Sequence, residues 1–168
     1  MDLTLVPLKP EHFSFLKKWL NEPYLTNTFG EKHIWTDRQI TDKYSHEMDA
    51  YILLVEEKPI GYLQYYNAYD YPRDGYNLRE ALQGTDLESI SLAAIDLFIG
   101  EPDHLSQGYG TKALQSALER LILRAFDACL VDPDKSNLRA IKAYQKAGFV
   151  PLKTCGNSLL LVIRKISP

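Results

Sequence analysis

The sequence predicts a single α/β (α+β) domain over residues 1–168, with about seven strands and about four helices. Three observations lead to this prediction. Apolar runs of strand length alternate with segments whose apolar residues recur at helical spacing. Two pairs of predicted strands are separated by turns short enough for hairpins. A length of 168 residues with 45% hydrophobic content suits one buried core, and no repeat or low-complexity tract indicates a second domain.

The first 90 residues are predicted to contain three strands, two helices and two loops. The elements are a strand at Leu3–Pro7, a helix at Pro10–Leu20, a loop at Asn21–Trp35, a helix at Thr36–Met48 capped by Thr36 or Asp37, and strands at Ala50–Val55 and Pro59–Asn67 joined by a turn at Glu56–Lys58. Gly61 is expected to mark a bulge. Residues 68–90 lack clear periodicity but are rich in tyrosine and acids, which indicates either a loop that binds an aminated or polyhydroxylated ligand or a flexible surface insertion.

The rest of the chain is organised around residues 91–111. An apolar run at 92–99, interrupted by Asp96, leads to a glycine-rich turn, and a predicted helix follows at 112–124. Free N–H groups and the positive end of the helix dipole favour an anion at such a helix start. The turn therefore predicts phosphate binding, although a Gly-x-Gly pair before a helix is also compatible with a simple tight turn.

A dinucleotide-binding domain is a second interpretation of the same turn. Gly108-Tyr-Gly110-Thr-Lys-Ala113 fits its fingerprint, and Asp132 lies near the distance expected for a ribose-binding acid. Only one helix and a few short strands fit after Asp132, whereas a doubly wound domain needs several more strand and helix units. Position in the chain therefore argues against this interpretation.

The remaining elements are a strand, a helix and a closing hairpin. The strand covers Ala128–Val131, the helix Asn137–Ala147 with Ser136 as N-cap and Gly148 as terminator, and the hairpin Phe149–Thr154 and Ser158–Ile166 through Gly156-Asn157. Cys129 lies inside the apolar strand and is expected to be a buried structural cysteine rather than a catalytic thiol.

Composition and charge exclude several classes of function. The formal charge of −3 gives no basis for general nucleic-acid binding, and neither a membrane span nor a secretory signal is visible, so a cytoplasmic location is expected. The two cysteines form no metal-ligand cluster, and no metal is expected. Residues 49–104 carry eleven acidic side chains against three basic ones. This segment suits a cationic partner, although an ordinary solvated face gives the same pattern.

Three further features follow one another along the chain: Gly108-Tyr-Gly110 before a helix, Asp132-Pro133 after a short strand, and the helix that runs from Ser136-Asn137 to Gly148-Phe149. This order resembles the GNAT superfamily of acyl-CoA-dependent N-acyltransferases, over essentially the whole chain. Pro59–Gln64, Ile95-Asp96, Leu105–Lys112 and Asp132–Ile141 look like the aminoglycoside 6′-N-acetyltransferases. The resemblance implies a mixed, mostly antiparallel sheet whose central strands splay to admit acetyl-CoA, in a monomer or homodimer. Leu105 departs from the Arg or Gln usual in the superfamily, but backbone N–H groups are expected to hold the phosphates.

The same resemblance implies roles for individual residues. The catalytic candidates are Asp96 as the base near the amine and Tyr144 as the acid near the sulfur of coenzyme A. The cofactor-binding candidates are Leu97, Phe98, Ile99, Gln107, Gly108, Tyr109, Gly110, Thr111 and Asn137, and the acceptor-binding candidates are Gln64, Tyr66, Asp96 and Asp132. From the residues alone, a core aromatic is the favoured interpretation of Tyr144. The alternatives for the two acids are a strand residue facing bulk water for Asp96 and the turn-forming acid of an Asp-Pro pair for Asp132.

The expected reaction is direct acetyl transfer to a primary amine of a small polycationic acceptor, with the 6′-amine of an aminoglycoside as the leading candidate. Two alternatives remain open. One is a related acyltransferase that uses another amine, such as a siderophore precursor or a protein N-terminus. The other is a non-catalytic sensor that binds acyl-CoA.

Overall fold

The structure, a computed structural model, describes residues 2–25, 34–45 and 49–166. Its helices are α1 (Phe13–Leu20), α2 (Asp37–Tyr44), α3 (Leu78–Leu82), α4 (Tyr109–Ala117) and α5 (Leu138–Lys146), and a π-helical turn at Leu118–Ile122 extends α4. The strands are β1 (Leu3–Pro7), β2 (Asp49–Val55), β3 (Lys58–Asn67), β4 (Leu92–Ile99), β5 (Ala128–Val131), β6 (Val150–Cys155) and β7 (Ser158–Arg164). The predicted loop at 26–33 and the predicted helix end at 46–48 lie outside the described residues.

The seven strands form one mixed sheet in the order β1-β2-β3-β4-β5-β7-β6. The pairs β1–β2, β5–β7 and β6–β7 are antiparallel, and β4 and β5 are parallel. The parallel ladder joins Leu92–Ala94 to Ala128–Leu130 and ends there, so the second half of β4 continues beyond it. The mixed, mostly antiparallel sheet predicted for the chain is confirmed.

Residues 1–64 and 97–109 form one compact unit with its own apolar core. Trp19 lies in that core with no exposed surface, and its Nε1–H donates a hydrogen bond of 2.8 Å to Glu101 Oε1. Gly100 lies so close to this indole that any side chain would overlap it. Gly61 is equally confined, because a Cβ there would overlap the carbonyl oxygen of Phe98. Close backbone approach is therefore the structural reason for Gly61 in β3.

Residues 65–96 and 110–168 form the second compact unit. Its core includes Leu78 and Leu82 of α3 and Leu87 of a 3-10 helix at Asp86–Ser89, packed with apolar residues of β4, β5 and β7. The prediction that residues 68–90 form one long loop is therefore wrong for Leu78–Leu82 and Asp86–Ser89. Its two helices are so short that three buried leucines give no visible periodicity.

Most predicted caps and turns are confirmed, with one correction. The Thr36 hydroxyl caps α2 by accepting a bond from the Gln39 N–H, and Gly148 (φ +105°) and Gly156 (φ +56°) adopt the left-handed conformations their turns require. The N-cap of α5 is Asn137 rather than Ser136. Asn137 Oδ1 accepts from the Ala140 N–H at 3.2 Å, whereas the Ser136 side chain bonds Asp134 instead.

Candidate active site

Asp132 is the centre of a hydrogen-bonded cluster at the end of β5. The Tyr76 hydroxyl donates to its Oδ2 at 2.7 Å, and a guanidinium nitrogen of Arg73 lies 3.4 Å from its Oδ1. A local backbone bridge between Arg73 and Tyr76 brings the two side chains to the same carboxylate. Asp132 is thus more than a turn-forming acid, because both of its oxygens contact side chains from the 68–90 segment.

Tyr66 completes the aromatic side of this cluster. Its ring lies edge-on to Tyr71 with centroids 4.9 Å apart, and the Arg73 guanidinium carbon lies 5.8 Å from the Tyr66 centroid. Beside these residues opens a surface pocket of about 440 Å³, lined by residues 68–73 and 76–79. The segment thus presents phenol rings, a carboxylate and a guanidinium to one cavity and its border.

Asp96 lies in β4, half-buried, and acts electrostatically on side chains from three other elements. Burial is the largest cause that raises the pKa values of Tyr66, Tyr144 and Cys129, and the negative charge of Asp96 is the second cause for each. Cys129 is fully buried, and its raised pKa keeps the thiol protonated, as expected for a structural cysteine. The charge of Asp96 therefore acts on side chains inside this unit.

Tyr144 lies on α5, half-buried, with its ring 5.7 Å from that of Phe149. Burial raises its pKa well above the usual range, and the charges of Asp96 and Asp132 raise it further. Tyr76 responds similarly, since burial and its hydrogen bond to Asp132 raise its pKa. The phenols therefore stay protonated, and the Tyr76 hydroxyl donates its proton to the hydrogen bond with Asp132. Four predicted residues, Asp96, Asp132, Tyr66 and Tyr144, thus belong to one electrostatic cluster.

The glycine turn has the backbone that an N-terminal anion site needs. Gly108 adopts φ +83° with open space around it, Ser106 is also left-handed at φ +60°, and α4 begins at Tyr109. Gln107 and Gly108 are exposed, and the Gln107 side-chain amide donates to the carbonyl of Asp103. An anion can therefore approach the first turn of α4 from solvent.

Two predicted site residues, Gln64 and Asn137, each use a side-chain oxygen in a local hydrogen bond. The Gln64 side-chain oxygen accepts a hydrogen bond of 2.7 Å from Tyr62, which confirms that these residues share a face of β3. Asn137 uses its side-chain oxygen to cap α5, so the capping bond does not involve its amide nitrogen. Leu97, Phe98 and Ile99 extend β4 beyond the ladder with β5, with Phe98 buried.

Sequence reasoning missed Arg73 and Tyr76. Both lie in a segment without periodicity, and their placement depends on a turn that pattern analysis does not predict. The available signal was chemical: Arg73 is one of only three basic residues between positions 49 and 104.

Among the described residues, no group of three or more His, Cys, Asp or Glu side chains could hold a metal ion. Within the same part of the chain, every helix is too short or too polar to cross a membrane.

Comparison with known proteins identifies the family. Residues 9–156 match the family model described as an acetyltransferase (GNAT) domain. An aminoglycoside N(6′)-acetyltransferase type 1 of Klebsiella pneumoniae is 30% identical over 157 residues, which are 88% of this chain and 74% of that protein. A crystal structure of the aminoglycoside acetyltransferase AAC(6′)-Ib with coenzyme A has a TM-score of 0.80 at 27% identity, over 98% of this chain and 95% of that one. A crystal structure of AAC(6′)-Ib with coenzyme A and kanamycin has a TM-score of 0.80 at 26% identity, with the same coverage. The chain belongs to the GNAT acetyltransferase family and is an acyltransferase.

Proposed function

We propose that this enzyme transfers the acetyl group of acetyl-CoA directly to a primary amine of a small cationic acceptor, and that the acceptor is an aminoglycoside acetylated at its 6′-amine. The observation that carries the proposal is the cluster of Asp96, Asp132, Tyr66 and Tyr144. Carboxylates attract an ammonium group, and protonated phenols can donate to a leaving sulfur. The likeness to N(6′)-acetyltransferases supports the choice of acceptor.

Acetyl-CoA would be held mainly by backbone groups. The N–H groups at the start of α4 suit the pyrophosphate, because the first turn of a helix leaves its donors without partners in the helix and carries the positive end of the helix dipole. The residues assigned to this part are Gln107, Gly108, Tyr109, Gly110 and Thr111. Leu97, Phe98 and Ile99 would align the pantetheine arm along β4, where one backbone N–H would stabilise negative charge developing on the thioester oxygen. Asn137 would contact the same arm.

Asp96 is assigned to the amine. A primary amine is protonated near neutral pH, and only its neutral form has the electron pair that attacks the thioester carbon. Asp96 would accept the ammonium proton, directly or through one water molecule. The nitrogen then forms the new C–N bond and releases its second proton to solvent, the C–S bond breaks, and the sulfur leaves with the bonding pair. Gln64, Tyr66 and Asp132 would orient the acceptor.

Tyr144 is assigned to the departing sulfur, which must receive a proton. Burial is the largest reason for its raised pKa and remains in place throughout the reaction, but the charge of Asp96 contributes as well. The raised pKa keeps the phenol protonated, so Tyr144 would hold the proton that it donates when negative charge develops on sulfur.

The test is release of coenzyme A from acetyl-CoA in the presence of kanamycin, with the site of acetylation determined by mass spectrometry and NMR. Turnover is expected for the unmodified enzyme and for Asp86→Asn, which removes an exposed carboxylate paired with Arg164. Asp96→Asn is expected to lose nearly all activity while still binding coenzyme A.

Other outcomes separate the alternatives. Turnover with another amine but no aminoglycoside would reject the acceptor and keep the reaction. Calorimetric binding of coenzyme A without turnover of any amine would favour a sensor. A purified, folded protein that does not bind coenzyme A would contradict the whole proposal.

A further inference from the structure

Arg73 carries a buried guanidinium whose contact with Asp132 is long. Its side chain is only 8% exposed. Its hydrogen bonds to Asp132 Oδ1 and to the carbonyl oxygen of Ala68 are both 3.4 Å long, and the Tyr66 side chain is a further hydrogen-bond partner. Its buried Nε has no hydrogen-bond partner. A buried N–H without a partner loses its hydration with no compensation, so this arrangement holds the guanidinium less firmly than a bidentate ion pair would.

The two oxygens of Asp132 are held differently. Oδ2 accepts a hydrogen bond of 2.7 Å from the Tyr76 hydroxyl, whereas Oδ1 has the longer contact with Arg73. The close, well-formed bond from Tyr76 fixes the orientation of the carboxylate. Oδ1 is consequently the oxygen that can exchange partners, and the group it holds now is a cation.

We propose that Arg73 is a specificity-determining residue that competes with the acceptor for Asp132 Oδ1, and that a second ammonium group of a polycationic acceptor must displace its guanidinium from that oxygen. The inference rests on the proposed function, in which Asp132 orients the acceptor. It goes beyond that function by naming a residue of the chain that opposes polycation binding.

Charge and space both support displacement. The guanidinium and an incoming ammonium group carry the same charge, so they cannot share one carboxylate oxygen without repulsion in a partly buried site. Arg73 also lines the pocket of about 440 Å³ beside the cluster, and this cavity offers the guanidinium a place to move. An acceptor with a single ammonium group would place that group at Asp96 and leave the Arg73–Asp132 contact intact.

The experiment compares Arg73→Gln with Arg79→Gln. Arg79 is a matched control, because it lines the same pocket and stacks on Tyr69 at 4.3 Å without contacting Asp132. With kanamycin, Arg73→Gln is expected to lower KM by roughly tenfold at nearly unchanged kcat, the size of one charge-assisted contact. With 6-amino-6-deoxyglucose, which has one amine, KM should change by less than about twofold. Arg79→Gln should resemble the unmodified enzyme with both acceptors.

The direction of the effect makes the test specific, since a misfolded variant cannot gain affinity. A higher or unchanged KM for kanamycin in Arg73→Gln would overturn the inference, and so would an equal decrease in Arg79→Gln. Calorimetric titration of kanamycin into the enzyme with coenzyme A, without turnover, separates this inference from the proposed function. Tighter binding to Arg73→Gln without acetylation would support the inference and reject the function, whereas acetylation with unaltered binding would do the reverse.

Discussion

Replacement of Gly100 by alanine should destabilise the first unit strongly, because the new methyl group would occupy space held by the Trp19 indole. A Cβ at this position would overlap the ring, with Cδ1 only 2.6 Å away. Trp19 cannot yield without loss, since it has no exposed surface and its Nε1–H donates to Glu101 at 2.8 Å. Overpacking costs about 1–3 kcal/mol, and loss of a hydrogen bond to a charged group costs about 1.5–3 kcal/mol. We therefore expect the free energy of unfolding to fall by about 3–5 kcal/mol.

Urea unfolding followed by tryptophan fluorescence would measure this change, with Gly84→Ala as the matched control. Gly84 has φ +77°, and a Cβ built there would have no atom within 4 Å. Alanine at this position should therefore lower the free energy of unfolding only by the backbone strain, about 1–2 kcal/mol. Gly100 carries no such left-handed strain, and its cost would come from the overlap alone. If Gly100→Ala is no less stable than Gly84→Ala, steric confinement by Trp19 is not the reason for glycine at this position.

Three other perturbations test the site. Asp96→Asn should lower kcat by roughly 10²- to 10⁴-fold with little change in the Kd for coenzyme A. A kcat within roughly threefold of that of the unmodified enzyme would show that Asp96 is not the base. Gly108→Ala should weaken coenzyme A binding by about tenfold. The φ of +83° strains any L-residue by about 1–2 kcal/mol, so alanine would favour a turn with a different backbone conformation. Gly84→Ala, which has the same kind of strain outside the proposed site, should bind coenzyme A normally in the same titration. The free energy of unfolding should fall as the pH rises above about 10, the ordinary tyrosine value. The folded protein retains the protons of Tyr66, Tyr76 and Tyr144, whose pKa values are raised, while the unfolded chain releases them, so a flat profile between about pH 8 and pH 11 would contradict these shifts.

Regular elements could be predicted from the sequence because each has a local cause. The apolar run of β5, the hairpin at Gly156 and the termination of α5 at Gly148 follow from residues within a few positions of one another. The 68–90 segment could not be predicted in this way. Its leucines are buried by distant strands, and α3 is too short to show a period.

The same distinction applies to the site. Asp96, Asp132 and Tyr144 were identified by motif and resemblance, and they do belong to one electrostatic cluster. The sequence did not identify Arg73 and Tyr76 as partners of Asp132, because they precede it by more than 50 positions and reach it through a turn. No sequence pattern relates a tyrosine in an irregular segment to a carboxylate so far along the chain.

Some of the acidic side chains among residues 49–104 are paired with cations in the folded protein. Glu101 is paired with Lys18 at 2.7 Å and Asp86 with Arg164 at 2.6 Å, and both cations come from outside the segment. Conversely, Arg73 of this segment offsets Asp132, a carboxylate that the count of acids does not include. In the proposed site, an acceptor would therefore meet a few carboxylates and the cation that faces one of them. For this reason a single substitution at Arg73 is expected to change acceptor affinity more than removal of an exposed acid such as Asp86.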